Sequence, residues 1–305
     1  MGMKKILVAD ALNPEAFEEL QAISDLEVTL KTGMDEQELI RTIPDYHAVV
    51  VRSATKVKKS AIDAASNLEL IVRAGIGLDN VDLDAAKNKG IKVANTPSAT
   101  TYTVSEMAFG LMLSAVRNLG KANLSIKEHK WEKKLLKGSE LFEKTLGIIG
   151  SGRIGLDVAK KALAFGMKVI VFDLVDVQTD LDVKQVSMDD LLAQADLISL
   201  HLPLTESTRH LISSNEFGKM KDGVIIVNAS RGGIVDEEAL LNSLESGKVR
   251  AAAIDVFEKE PPEDFSLIDH PNVMATPHIG AAADEGQKRA GFEVVRIIRE
   301  NMSGR

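Results

Sequence analysis

Residues Gly150-Ser151-Gly152-Arg153-Ile154-Gly155 stand directly after the apolar run Leu146–Ile149 and directly before a helix-period segment, Ile154–Phe165. Few folds accept a strand, three closely spaced glycines and a helix in immediate succession. Gly150 permits a tight turn, Gly152 lets a pyrophosphate approach the backbone, and Gly155 lets the helix pack closely on the strand. The free N–H groups of the helix start then face the phosphates. The next apolar run, Lys168–Phe172, ends at Asp173, 18 residues beyond Gly155. A carboxylate there can accept hydrogen bonds from both ribose hydroxyls and repels the extra phosphate of NADP, so the pattern predicts NAD. The plainer readings are a glycine turn and an aspartate capping the next loop.

Short apolar runs alternate with helix-period segments along nearly the whole chain, which predicts an α/β protein with parallel sheets covered on both faces. The first series of strands is Lys4–Ala9, Glu27–Leu30, Ala48–Val51, Leu70–Val72 and Ile91–Ala94, with a helix Pro14–Ile23 opened by Asn13. After Thr96-Pro97-Ser98 the pattern changes. Thr103–Leu119 reads as one long helix with Val104, Met107, Ala108, Leu111 and Ala115 at helical spacing, and a lysine-rich stretch around Lys127–Lys144, holding the only tryptophan, Trp131, reads as an arm or a solvated loop. A second series follows at Leu146–Ile149, Lys168–Phe172, Leu197–Leu200, Val224–Val227, Ala252–Ile254 and Val273–Ala275. Six strands complete a doubly wound sheet, and the helix Asp284–Glu300 is left over. A length of 305 residues suits two domains. The motifs place a nucleotide domain at residues 98–280, inserted into a substrate domain made of residues 1–97 and 281–305.

Composition narrows the function. With 37 basic and 45 acidic side chains the net charge is −8, without the basic excess expected of a nucleic-acid or anionic-membrane binder. A local basic pocket for a small anion remains compatible with that total. The longest apolar stretch, Ala108–Val116, is far short of a membrane span, and the apolar start Ile6–Ala9 is stopped by Asp10 before it could act as a signal peptide. A cytoplasmic location is expected. Zero cysteines exclude disulfides, thiolate metal sites and a cysteine nucleophile. His47, His129, His201, His210 and His270 show no paired-ligand spacing, so no metal site is expected; His201 is placed at the loop bordering the nucleotide.

Three later segments lie where strands of the second sheet should end, and such ends face the ligand crevice. They are Val227-Asn228-Ala229-Ser230-Arg231-Gly232-Gly233, the acid-rich Ala253–Pro262, and Thr276-Pro277-His278-Ile279-Gly280. Hydride transfer to a 2-keto acid needs a cation for carboxylate and carbonyl, a proton donor near neutral pH, and a carboxylate that favours the protonated donor. Arg231, His278 and Glu260 have the right chemistry. Each also has a plain reading, as a surface ion pair, a loop histidine and a solvated charge.

Taken together, these segments resemble the D-isomer-specific 2-hydroxyacid dehydrogenases. The likeness covers nearly the whole chain, through Val51-Arg52-Ser53-Ala54-Thr55-Lys56-Val57, Arg73-Ala74-Gly75-Ile76-Gly77-Leu78-Asp79-Asn80-Val81-Asp82, Asn95-Thr96-Pro97, Lys130-Trp131-Glu132, the glycine loop, Ala195-Asp196, His201-Leu202-Pro203-Leu204-Thr205 and the three segments above. The resemblance implies a Rossmann NAD-binding domain within a flavodoxin-like substrate domain, with Arg231, Glu260 and His278 as the catalytic set. It also implies cofactor contacts from Gly150, Gly152, Arg153, Ile154, Gly155, Asp173, Leu202, Pro203, Ala229, Ser230, Arg231, Asp255, His278 and Gly280. Substrate contacts are implied for Arg52, Ser53, Arg73, Gly75, Ile76 and Gly77, with Arg231 and His278.

Within the family the chain is most similar to members that oxidise 3-phospho-D-glycerate to 3-phosphohydroxypyruvate for serine synthesis; hydroxypyruvate or glyoxylate reduction, or another D-2-hydroxy acid, is the alternative. A non-catalytic NAD-sensing scaffold on the same fold is a further one. A homodimer through the nucleotide domains is implied, with the Thr103–Leu119 helix and the Trp131 arm in the interface, and Lys133 and Lys134 able to reach a neighbouring subunit's substrate. Ile76 stands where some relatives have threonine, and Glu143 where a small residue is common. Because the chain stops at Arg305, just past its last helix, a C-terminal regulatory domain and feedback by serine are not expected.

Overall fold

Runs of β-branched residues such as Ala48-Val49-Val50-Val51 favour extended backbone, and when both faces are apolar they must be covered on both sides. The chain meets this demand twice. In the computed structural model, which describes residues 3–303, it divides into two compact units. The first runs to Thr101 and resumes at Ala281; the second is Tyr102–Gly280. The change of unit thus falls at the start of a helix rather than at residues 97 and 98.

The first unit holds β1 (Lys4–Val8), β2 (Leu26–Leu30), β3 (Ala48–Val51), β4 (Leu70–Arg73) and β5 (Lys92–Asn95), all parallel, in the order β2-β1-β3-β4-β5. Alternate residues feed opposite cores. Val49 and Val51 join Leu7 and Ile71 on one face, whereas Ala48 and Val50 join Ile6, Val8, Leu70 and Val72 on the other. That second face is closed by the C-terminal helix Asp284–Met302, which lays Val294, Val295, Ile297 and Ile298 on it. Gly291 allows the close approach, since a Cβ there would lie 2.6 Å from Ala16 Cβ. The leftover helix therefore completes the first sheet. Asn13 starts the helix Pro14–Gln21 by accepting a hydrogen bond from the Ala16 N–H at 3.3 Å.

The second unit holds β6 (Thr145–Ile149), β7 (Lys168–Phe172), β8 (Lys184–Gln185), β9 (Leu197–Leu200), β10 (Val224–Asn228), β11 (Val249–Ile254) and β12 (Val273–Ala275). Their order is β12-β11-β10-β9-β6-β7-β8, again parallel. Strand order reverses between β6 and β9, the switch point where such sheets bind ligands. The seventh strand, β8, escapes the sequence pattern because both of its residues are exposed and two residues carry no period.

Two helical details differ from expectation. The long helix spans Thr101–Arg117, and Asn118, in left-handed backbone with φ 54°, separates it from a further helix, Leu119–Lys127. Its apolar residues, Leu119, Leu124 and Ile126, are exposed, so it offers no clear buried face to a sequence reading. Residues 128–144 then run without regular structure. Among the described residues no helix is long and apolar enough to cross a membrane.

Candidate active site

At the switch point β6 ends in the glycine loop. Gly150 has φ +94°, and a Cβ on it would lie 2.5 Å from the His201 carbonyl oxygen and 2.8 Å from Leu202, so the loops after β6 and β9 are in close contact. Gly155 is packed as tightly, because a Cβ there would lie 2.1 Å from the Gly150 oxygen. Gly152 differs: a Cβ there meets nothing within 4 Å. It opens the helix Arg153–Ala164, whose first N–H groups, including those of Arg153 and Ile154, receive no side-chain cap. An open backbone surface above an uncapped helix start fits a pyrophosphate. Asp173 leaves β7 beside it, and its Oδ2 accepts from the Ser151 N–H (2.8 Å) and hydroxyl (2.9 Å). Burial pushes the Asp173 carboxyl up, but these bonds outweigh it and hold the group below the ordinary range. Asp173 therefore stays ionised and braces the glycine loop, with Oδ1 accepting from the Val175 N–H at 3.4 Å. Nearby, burial pushes His201 down to about 4, so the ring is neutral at physiological pH; its Nε2 lies 2.9 Å from the Ser199 hydroxyl. The Pro203 carbonyl accepts from the Thr208 hydroxyl at 2.7 Å, which shapes the turn after Leu202.

The three chemical segments leave β10, β11 and β12 side by side. After β10, the Asn228 side chain accepts from the Ser230 N–H (3.1 Å) and hydroxyl (2.8 Å) and donates to the Arg231 carbonyl (3.0 Å), winding Ala229–Arg231 into a tight turn. Arg231 Nη1 donates to the Ser230 carbonyl at 2.6 Å. Next, a Cβ on Gly232 would lie 1.8 Å from the Phe257 oxygen, so the arginine turn rests directly on the loop after β11. In that loop the Phe257 N–H donates to Glu260 Oε1 (3.1 Å), leaving Oε2 2.6 Å from His278 Nδ1.

His278 is delivered from β12 by a loop held on Asp255. This carboxylate is fully buried and accepts from the Thr276 hydroxyl (2.6 Å), the Ile279 N–H (2.9 Å) and the Gly280 N–H (2.7 Å). Donors on both sides of His278 keep it at φ +51°, a region that a residue with a Cβ rarely occupies. Through these bonds the Asp255 carboxylate fixes the placement of the histidine.

The electrostatics follow from these contacts. The hydrogen bond that His278 donates to Glu260 raises the histidine above its ordinary value; burial and the Arg231 charge oppose it, and the Glu260 and Asp255 charges add to it. Burial raises Glu260, but the bonds from His278 and the Phe257 N–H, with the charges of His278 and Arg231, bring it below its ordinary value. An ionised carboxylate bonded to Nδ1 holds a proton there and leaves Nε2 for exchange with a ligand. A cation, a proton carrier and its carboxylate thus share one site, as acid–base chemistry at a carbonyl or carbinol requires.

The first unit gathers the remaining expected residues. Arg52 follows β3 and Arg73 ends β4, with Arg73 Nε donating to the Arg52 carbonyl at 3.3 Å. The Gly75 carbonyl accepts from the Thr96 N–H (3.0 Å) and the Ile76 carbonyl from Asn95 Nδ2 (2.5 Å), which fixes the turn through Gly77. Ser53 is exposed at the tip of its loop. Sequence reasoning missed Asn228 as the organiser of the arginine turn. It also missed His210, whose Nε2 lies 3.0 Å from Glu258 Oε1, in the same acidic loop as Glu260. The available signal was a polar residue closing an apolar strand, as at Asn228 and Asp255.

Comparison with known proteins gives a consistent picture. A family profile described as D-isomer specific 2-hydroxyacid dehydrogenase, NAD binding domain, matches residues 109–280. A hydroxypyruvate reductase of Thermotoga maritima is 54% identical over 98% of this chain and 98% of its own. A D-3-phosphoglycerate dehydrogenase of Methanocaldococcus jannaschii is 46% identical over 99% of this chain but 58% of its own, so the chain spans little more than half the length of that relative. The crystal structure of a D-lactate dehydrogenase from Aquifex aeolicus, complexed with NAD and lactic acid, is 30% identical, covers 97% of this chain and 94% of its own, and superposes with a TM-score of 0.85.

Proposed function

The chain belongs to the D-isomer-specific 2-hydroxyacid dehydrogenase family, with NAD as cofactor, and we propose that it oxidises 3-phospho-D-glycerate to 3-phosphohydroxypyruvate, the first step of serine synthesis. In this reading Arg231 binds the substrate carboxylate and polarises the C2 oxygen. His278 Nε2 takes the hydroxyl proton, while Glu260 holds the Nδ1 proton and stabilises the resulting imidazolium. NAD, which the open backbone at Gly152 and the uncapped start of the helix Arg153–Ala164 would hold, would supply the acceptor for the hydride leaving C2. The arginine at the developing oxyanion supplies the electrostatic stabilisation that usually dominates such steps. In reverse, the same histidine is the acid.

The observation that carries the substrate is a pair of guanidiniums in the first unit. Arg52 and Arg73, joined through the Arg52 carbonyl, supply charge for an anionic group such as a phosphate. Ser53, Gly75, Ile76 and Gly77 contribute polar and backbone contacts to it. Hydroxypyruvate reduction is the second reading, favoured by the Thermotoga maritima relative, which matches over 98% of both chains. Steady-state rates with 3-phospho-D-glycerate and NAD, set against hydroxypyruvate and NADH, separate the two. A kcat/KM at least about tenfold higher for the phosphorylated pair supports the first, and the opposite order replaces it with the second. The enzyme acts as a homodimer, a reading supported by Leu124, Ile126, Trp131 and Leu135, which expose their apolar side chains in one stretch of the nucleotide unit.

A further inference from the structure

The loop Arg52–Thr55 is clamped at both ends by two side chains that the proposed reaction does not use. Asp10, buried just past β1, accepts from the Arg52 N–H (2.6 Å) and the Thr55 N–H (3.1 Å) with Oδ2, and from the Thr55 hydroxyl (2.8 Å) with Oδ1. Asn80 takes the other side, its Nδ2 donating to the Arg52 carbonyl (2.7 Å) and the Thr55 carbonyl (2.6 Å). Every backbone polar group of the two end residues is thereby tied down. The residues between them are left out: Ser53 and Ala54 are exposed, and their N–H groups have no partner among the described residues.

Asn80 is itself rigidly mounted. The Val57 N–H donates to its carbonyl (2.8 Å), the Asp82 N–H donates to the Val57 carbonyl (3.0 Å), and Val57 and Val81 form an isolated parallel bridge. Its own Oδ1 is buried without a partner, a destabilising feature tolerated at a position where the two donors are needed. The Arg52 carbonyl held by Asn80 also receives Arg73 Nε, so one amide sets the height of both guanidiniums.

We infer that Asp10 and Asn80 are positioning residues for an anionic substrate group: together they hold Arg52, Arg73 and the unspent N–H groups of Ser53 and Ala54 in the arrangement that receives a carboxylate or phosphate. Such backbone N–H groups, presented from a fixed loop, bind oxyanions without the entropy cost of ordering a flexible loop. This rests on the reading that Arg52 contacts substrate.

The test measures kcat, KM for the organic acid and NADH affinity in the full chain, with 3-phospho-D-glycerate in one direction and hydroxypyruvate in the other. Asn80→Ala and Asp10→Asn are each expected to raise KM about tenfold or more while kcat changes less than about threefold and NADH binding is unchanged. A merely structural role would instead lower active enzyme, and with it apparent kcat, at constant KM. The double variant Asn80→Ala/Arg52→Ala should raise KM by less than the product of the two single effects, because part of what Asn80→Ala removes is the Arg52 contact. Additive effects, or an unchanged KM in both single variants beside a raised KM in Arg52→Ala, would overturn the inference. An unchanged KM in Arg52→Ala itself would instead remove the substrate role of Arg52. Should Asn80→Ala fail to fold, the isosteric Asn80→Asp, which loses both donors, carries the same comparison with Asp10→Asn.

Discussion

Asp10 in the first unit and Asp255 in the second are both buried carboxylates just past the end of a parallel strand, and each accepts bonds from one hydroxyl and two backbone N–H groups. In both, the loop that is held leaves the neighbouring strand, β3 beside β1 and β12 beside β11. The mechanical device is the same. The loops differ in what they carry: Asp10 holds Arg52, whose charge never titrates, whereas Asp255 holds His278, whose proton is the chemistry. Asp255 therefore acts twice, through geometry and through a charge that helps raise the histidine. For Asp10 geometry alone remains, and loosening the two loops should give different kinetic signatures.

The bluntest way to probe the difference is to remove the titrating group. His278→Asn should lower kcat by about 10²- to 10⁴-fold, the range for a positioned acid–base group, with NADH still bound at near wild-type affinity by fluorescence titration. Retained turnover would take His278 out of the mechanism.

A smaller effect is expected from Asp255→Asn, which swaps one accepting oxygen for a donor facing N–H or O–H groups. The loss of an acceptor costs about 1–3 kcal/mol in a thermal or denaturant melt. Misplacement of His278 should lower kcat by roughly 10- to 100-fold with little change in KM. If instead KM rises and kcat holds, as expected for Asp10→Asn, the two loops do not differ as argued.

Glu260→Gln sharpens the electrostatic half. It removes the largest cause of the raised His278 value, so the histidine should titrate at lower pH, with kcat lower by roughly tenfold. Oxidation needs the neutral ring and falls as pH drops through that value; reduction needs the protonated ring and falls as pH rises through it. Both limbs should therefore move to the acid side in pH profiles of kcat/KM, and limbs that stay in place would assign them to another group. Linkage to folding has matching signs. The raised His278 contributes stability that is complete below the ordinary histidine range and lost as pH rises through its folded value. The lowered Glu260 contributes stability above the ordinary carboxylate range and loses it as pH falls. Both side chains are more than a third exposed (46% and 37%), so solvent screens the coupling.

Much of the fold was legible because it is local. The strand, the glycine loop and the helix that follows need only neighbouring residues, and the same holds for β3, whose four apolar residues allow no amphipathic alternative. What escaped was short or unpatterned, as with β8 and the helix Leu119–Lys127. In the site, residue type and position at strand ends pointed to Arg231, Glu260 and His278 one by one. Which atoms meet was not legible, because the His278–Glu260 pair spans 18 residues and the Asp10–Thr55 pair 45.

The chain's own order of residues thus determined two α/β series, a dinucleotide loop and a set of side chains suited to hydride and proton transfer, since each depends on short-range sterics, periodicity and intrinsic chemistry. Tertiary structure alone decided that Asp255 would serve the histidine loop, that Gly232 would seat the arginine turn on the acidic loop, and that Asp10 and Asn80 would close on Arg52. Those contacts follow from which strands lie side by side, and strand order is set by packing over the whole sheet, which no local stretch of residues encodes.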